Sequence, residues 1–157
     1  MAANSRRTGA GYSGTPLPKK LGFRQGQKVM FVALPGTLSE LASCAEFASV
    51  AEAADWREVK VQGGGFDAIH AFTSSREELA KGLPGLEAAI VPDGMIWISW
   101  PKRAARVATD VTEDVVRAEA LRGDLVDVKV AAVDDRWSGL KLVIRKEARP
   151  RHGGKAR

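Results

Sequence analysis

The sequence predicts an α/β domain: a mostly parallel sheet with helices on both faces, closed by a C-terminal antiparallel hairpin. Three observations carry this. Short, continuously apolar runs recur ("VMFVAL", "FDAIHAF", "MIWISW"), as expected of strands buried on both faces. Between them stand helix-starting patterns, Ser or Thr with Glu three residues on. The last two strand-like runs are joined only by "DDRWSG", far short of the dozen or so residues that a parallel crossover needs.

In chain order, residues 1–14 read as a disordered basic tail, 15–147 as a single domain and 148–157 as a second basic tail. "YSGTPLPKKLG", Tyr12 to Gly22, reads as an extended arm stiffened by Pro16 and Pro18. Val29 to Leu34 is the first strand. Thr37 with Glu40 fits a capping box, opening a helix or broken pair that runs to about Ala54. Arg57 to Val61 reads as a short strand before Gly63-Gly64-Gly65. The residues from Gln62 to Gly65 are too few for a parallel crossover to Phe66, so that strand is either placed differently or irregular. Phe66 to Phe72 is a strand. Ser74/Glu77 and Ser75/Glu78 both fit the cap of a helix reaching Ile90, disturbed at Pro84. Pro92-Asp93-Gly94 reads as a turn, and Met95 to Trp100 as a buried strand. Asp110 with Glu113 starts a helix through Leu121, and Leu125–Val133 with Leu140–Arg145 forms the hairpin.

Composition narrows the function classes. A chain of 157 residues, 45% hydrophobic and 27% charged, suits one soluble globular domain. No apolar run approaches the ~18 residues of a membrane span, and no apolar stretch follows Arg6 and Arg7 as a secretory signal requires. Cys44 is the only cysteine, which excludes an internal disulfide and fits a cytoplasmic setting. The net charge of +5 is unevenly spread. Residues 1–39 hold six basic groups and no acid, and residues 145–157 hold six against Glu147. Residues 40–144 are left with 12 basic and 18 acidic groups. The basic termini are either solvated tails or weak nucleic-acid contacts. No aromatics interleave with them as in a single-strand binder.

The order of "FDAIHAF", "LPGLEAAIVPDGMIWISWPK", helix and hairpin resembles the terminal half of class I, S-adenosylmethionine-dependent methyltransferases. The resemblance implies a Rossmann-like fold of that class with its middle shortened. Nearly the whole chain is similar to a bacterial domain-of-unknown-function family, through "YSGTPLPKKLG", "SWPK", "TDVTEDVVR" and "DVKVAAVDDRWSGLKLV". That similarity implies the same fold in a bacterial cytoplasm and brings no activity with it.

A cofactor site in such a fold wants glycines in the first turn and an acid closing the second strand. Here Gly36 is the only glycine of the turn, Pro35 removes a donor, and Glu40 puts negative charge where a phosphate would dock. The expected second strand ends "VKVQGGG", with Glu58 four residues too early. No cofactor is therefore expected. The reading is a non-catalytic binding or regulatory module. The alternative is an S-adenosylmethionine-dependent methyltransferase with an atypical loop, and the second alternative a nucleic-acid associate acting through basic termini.

Ligands of open α/β sheets bind beyond the carboxyl ends of the strands. That rim should gather Pro35-Gly36-Thr37, Thr73-Ser74-Ser75, Trp100-Pro101-Lys102 and the tip Asp134 to Gly139, with Arg103, Arg106, Arg136 and Trp137. Two uses compete for these residues. Thr73, Ser75 and Asp110 suit helix caps, and Trp100 and Trp137 suit packing. Together with the basic run they suit a small anionic ligand or an acidic peptide. Tyr12 is placed to reach the same rim. Asp134-Asp135 reads as a turn former, Gly63-Gly64-Gly65 as a loop or an anion nest, and His70 as a core residue. His152 lies in the tail, Ser138 lacks a partner His, and no zinc pattern exists, so no catalytic or metal residue is assigned.

Overall fold

The computed structural model describes residues 15–61 and 64–156. The expectations for Met1 to Gly14, including Tyr12 at the rim, and for Gln62 and Gly63 lie outside them. Six strands form one sheet: β1 (Lys28–Val32), β2 (Ser49–Ala53), β3 (Phe66–Phe72), β4 (Ile90–Pro101), β5 (Leu125–Ala132) and β6 (Trp137–Ile144), in the order β2-β1-β3-β4-β6-β5. The first four strands are mutually parallel, and β6 is antiparallel to both β4 and β5. The Rossmann-like sheet with its antiparallel hairpin is thus the one the sequence predicts. No helix among the described residues is long and apolar enough to cross a membrane.

Alternation along the strands splits the core in two. Met30, Val32, Ile69, Ala71, Ile96 and Ile98 pack on one face with α2 (Arg76–Ala89) and α3 (Glu113–Leu121). Val29, Phe31, Phe72 and Trp97 pack on the other beneath α1 (Leu17–Leu21) and a 3-10 helix, Gly36–Ser43. The Trp97 indole N–H donates to Leu21 O at 2.8 Å, pinning α1 to the sheet.

Several elements differ from expectation. The second strand is Ser49–Ala53, inside the stretch read as helix, and Trp56–Val61 is a 3-10 helix rather than a strand. Residues 54–65 then carry the crossover to β3, enough chain for the purpose. The expected capping box at Thr37 is absent: Pro35 is the N-cap, without a side-chain cap bond. The arm turns into α1 after Pro16 because Pro18 fits a helix's first turn. Thr112, not Asp110, caps α3. Pro92-Asp93-Gly94 lies within β4 as an excursion, where four residues of β4 (91–94) stand against one of β3, Asp67. A Cβ at Gly94 would sit 3.1 Å from three carbonyl oxygens, which explains the glycine. The C-terminal stretch read as a tail forms α4 (Arg149–Ala156).

Trp56 fills the space left by the short crossover. Its ring lies against Gly82 of α2 so closely that a Cβ there would overlap it. Gly85, one turn on, has open space around it. Gly82→Ala is therefore expected to cost about 1–3 kcal/mol by overpacking. Gly85→Ala should add about 0.5–1 kcal/mol from helix propensity. Urea denaturation separates the two, and a stabilised Gly82→Ala variant would mean that Trp56 is not seated on α2.

Candidate functional site

At the carboxyl edge, β1 leaves the sheet through Ala33, which adopts a left-handed φ of 56° while its N–H donates to Ala53 O at 2.9 Å. Glycine takes such a conformation without steric cost, and alanine does not. Pro35 follows, and the exposed Gly36 and Thr37 begin the 3-10 helix. The chain leaving β2 supplies what the sequence reading missed. Asp55 stands two residues past the strand, an acid at the carboxyl edge where the sequence reading found none. It accepts from Arg57 Nη2 at 3.1 Å and from Arg57 N at 2.8 Å, and these hydrogen bonds hold its carboxyl below the usual range. Next to it, the buried Trp56 donates from its indole N–H to Phe72 O at 2.9 Å, bridging the ends of β2 and β3.

Beyond β3, most hydroxyls serve α2. Thr73 is buried; its hydroxyl lies 2.7 Å from Glu78 Oε1 and accepts from Ser75 N at 3.1 Å. Ser75 Oγ accepts from Glu78 N at 3.1 Å, so Ser75 is the cap that the Ser75/Glu78 pattern predicts. Asp110 Oδ1 reaches across to accept from Arg76 N at 2.7 Å, and Thr109 donates to the exposed Ser74's carbonyl at 2.9 Å. Much of the anion-attracting end of α2 is thus satisfied by the protein's own groups.

Beyond β4, Trp100 is buried and pairs across the sheet with Ser138, while Pro101 pairs with Trp137. Lys102 N donates to Arg136 O at 2.8 Å, joining two segments of the rim. Trp137 packs edge-on to Phe72, centroids 5.1 Å apart. Asp134 Oδ1 accepts from Arg136 N and Trp137 N, both at 2.8 Å, and acts as the turn former read from the sequence. The exposed Arg103, Arg106 and Arg136 and the half-buried Lys102 form no ion pair among the described residues. Lys102 and Arg136 thus meet at the end of β4 and β6, but Trp100 packs on the α2 face of the sheet and Trp137 on the α1 face, so the two indoles do not share a site; Gly36 and Thr37 lie on the same edge beyond β1.

His70 is fully buried within β3, stacked on Phe72 at 4.3 Å, with Nε2 2.7 Å from Ser99 Oγ. Burial pushes its pKa down to about 3, so the ring is neutral and remote from proton transfer at ordinary pH.

The opposite, amino edge holds a cluster that no local pattern reveals. His152 Nε2 of α4 lies 3.2 Å from Asp124 Oδ2 and 3.5 Å from Glu87 Oε2. These three form a group spaced to hold a metal ion, beside a cavity of about 770 Å³ lined by Gly64, Gly65, Glu87, Arg151 and His152. Arg145 at 2.7 Å and Arg151 at 3.2 Å also bond Asp124, however. Two guanidiniums already balance the two carboxylates, and a divalent cation would add uncompensated charge. The cluster fits a clamp for α4.

The fold is shared with class I methyltransferases. A methyltransferase from Aquifex aeolicus dependent on S-adenosylmethionine superposes with a TM-score of 0.62 at 16% identity, over 82% of this chain and 88% of that one. Magnesium protoporphyrin IX methyltransferase from Synechocystis PCC 6803, solved with S-adenosylmethionine bound, gives 0.58 at 12% identity over 82% and 74%. An N-methyltransferase from Bradyrhizobium japonicum WM9, in complex with S-adenosyl-L-homocysteine, gives 0.56 at 11% identity over 83% and 83%. No family model and no curated sequence matches this chain. At such identities the likeness establishes the scaffold alone.

The clamp has a pH signature. Hydrogen bonds from Arg145 first, then His152 and Arg151, hold the Asp124 pKa down at about 2 from an ordinary 3.8. A depressed carboxyl stabilises the folded form above its unfolded pKa and loses that contribution as pH falls through its folded one. Amide protection factors in residues 149–156, corrected for the intrinsic pH dependence of exchange, should fall as pH drops from about 4 to about 2. Asp124→Asn should remove the transition and leave α4 loosely protected throughout. Unchanged protection in that variant would assign α4's docking to other contacts.

Proposed function

We propose that this chain is a non-catalytic binding or regulatory module on a methyltransferase-like scaffold, taking a small anionic ligand at the carboxyl rim. One observation carries the reading: Lys102, Arg103, Arg106 and Arg136 gather at the edge where such folds bind ligands, without acidic partners among the described residues. Trp137 supplies an apolar wall beside them. The first turn argues against catalysis, because Ala33 and Pro35 stand where glycines would let a cofactor approach the backbone. The resemblance to the bacterial family supports a bacterial cytoplasmic setting.

The second reading, an S-adenosylmethionine-dependent methyltransferase with an atypical loop, is favoured by Asp55 beyond β2 and by bound cofactor or product in structural neighbours. The nucleic-acid reading loses support at the C-terminus, since Arg145 and Arg151 are ion-paired with Asp124.

Titration calorimetry distinguishes these. S-adenosylmethionine should show no saturable binding below the millimolar range. Pyrophosphate, as a probe anion, should bind with an affinity that falls at least about tenfold, about 1.4 kcal/mol, when Lys102 and Arg136 are both replaced by Ala. Micromolar S-adenosylmethionine binding that disappears in Asp55→Ala would install the second reading. Saturable binding of a Glu-rich peptide with none of pyrophosphate would make the partner a peptide.

A further inference from the structure

One polar defect stands in the aromatic layer beneath α1. His70 Nε2 is taken up by Ser99 Oγ, but the buried Nδ1 has no hydrogen-bond partner among the described residues. Leaving a buried polar atom unpaired is unfavourable, whichever ring nitrogen carries the hydrogen. A proton on Nδ1 would be worse still, because Phe31, Phe72 and Trp97 wall the ring. The titratable groups of the elements around it are Lys28, Asp67, Asp93 and Lys141 in the sheet, Lys19, Lys20 and Arg24 in the arm, and Glu40 and Cys44 at the 3-10 cover. None bonds the ring, and burial is the one cause of its lowered pKa.

The last wall of this cage is not sheet. Phe23 closes it, with its ring centroid 6.2 Å from His70 and 5.6 Å from Phe31. Phe23 belongs to a strap, residues 22–26, whose end glycines both turn in the left-handed region, at φ 83° and 86°. Arg24, Gln25 and Gly26 are exposed. Backbone bonds fasten the strap from Phe23 N to Pro18 O and from Gly26 N to Glu46 O, both 2.9 Å. Gln27 adds a side-chain bridge, accepting from Arg24 N at 3.0 Å and donating to Gly22 O at 3.3 Å. A segment with one buried ring between two flexible joints opens far more readily than a central strand.

We propose that the strap of residues 22–26 is an acid-released latch: lifting Phe23 lets water reach His70, and a proton on the ring then holds the strap open over Phe31, Phe72 and Trp97. With the strap closed the ring titrates at about 3, and with it open the ring regains an ordinary 6.5. The closed form is therefore fully favoured above pH 6.5 and loses ground steadily as pH falls from 6.5 towards 3. Between about pH 7.5 and about pH 5 the ratio of open to closed strap should rise about 30-fold.

Amide protection factors of Phe23 and Gly26, corrected for the intrinsic pH dependence of exchange, test this. In the parent both should fall about 30-fold from about pH 7.5 to about pH 5. Both should also lie at least about tenfold below those of Ile69 and Ile98 in the sheet, which marks opening of the strap alone. His152→Gln leaves His70 as the one histidine and should keep the fall. His70→Phe combined with Ser99→Ala removes both polar partners and should abolish it. Flat protection of the strap in the parent overturns the proposal, whether or not the double variant folds. Equal protection of strap and sheet makes the event global unfolding and overturns it too. A fall that vanishes in His152→Gln, or persists in the folded double variant, places the proton elsewhere with the same result.

Discussion

A sheet buried on both faces must be covered twice, and here one face carries no long helix. Its cover is a five-residue helix, α1, and a 3-10 segment, neither stable by itself. The hydrogen bond from Trp97 to Leu21 O holds this cover down. Trp97 is the largest fully buried side chain, and its N–H would cost about 1–3 kcal/mol if left without a partner. The bond therefore fixes where α1 ends. Gly22 turns in the left-handed region there, φ 83°, and Phe23 is delivered onto Phe31 at 5.6 Å. Leu38 and Leu41 complete the layer.

The shortened middle of the fold has a parallel consequence on the other face. With only residues 54–65 between β2 and β3, no full helix covers the crossover. Trp56 does so with one ring, anchored to Phe72 O and set against Gly82. The carboxyl edge is built in the same economical way. Thr73, Ser75 and Asp110 are used up in ordering α2. Asp55 is taken up by Arg57 in the same way, and the rim cations alone make no ion pair there.

Much of this was legible in the sequence, for a physical reason. Strands β1, β3 and β4 are buried on both faces and so are written as continuous apolar runs. The short "DDRWSG" link forced the hairpin, and with it the placing of Trp137 opposite Pro101 at the end of β4. What stayed hidden lacks such a signature. Strand β2, "SVAEA", is an edge strand with one fully buried residue, Ala53, and its alanines read as helix. The error displaced the strand end and concealed Asp55. Helix α4 is polar, held by ion pairs rather than an apolar stripe, so it read as a tail. The Glu87–Asp124–His152 cluster joins three elements distant in sequence, and no local spacing announces it.

The net charge of +5 gains meaning only when each cation is asked what balances it. At the amino edge, Arg145 and Arg151 are spent on Asp124 and serve the fold. Along α3, Arg117 is shared among Glu113, Asp114 and Asp127 and does the same. Arg76 offsets Glu119, whose side chain is 6% exposed and needs a partner. Several other described cations make no ion pair, among them Lys102, Arg103, Arg106 and Arg136 at the rim and Arg24, Lys28, Lys129 and Lys141 elsewhere. The rim cations are mostly exposed, so water screens them and their presence costs the fold little. Lys141 is partly buried and faces another lysine, so water screens it less.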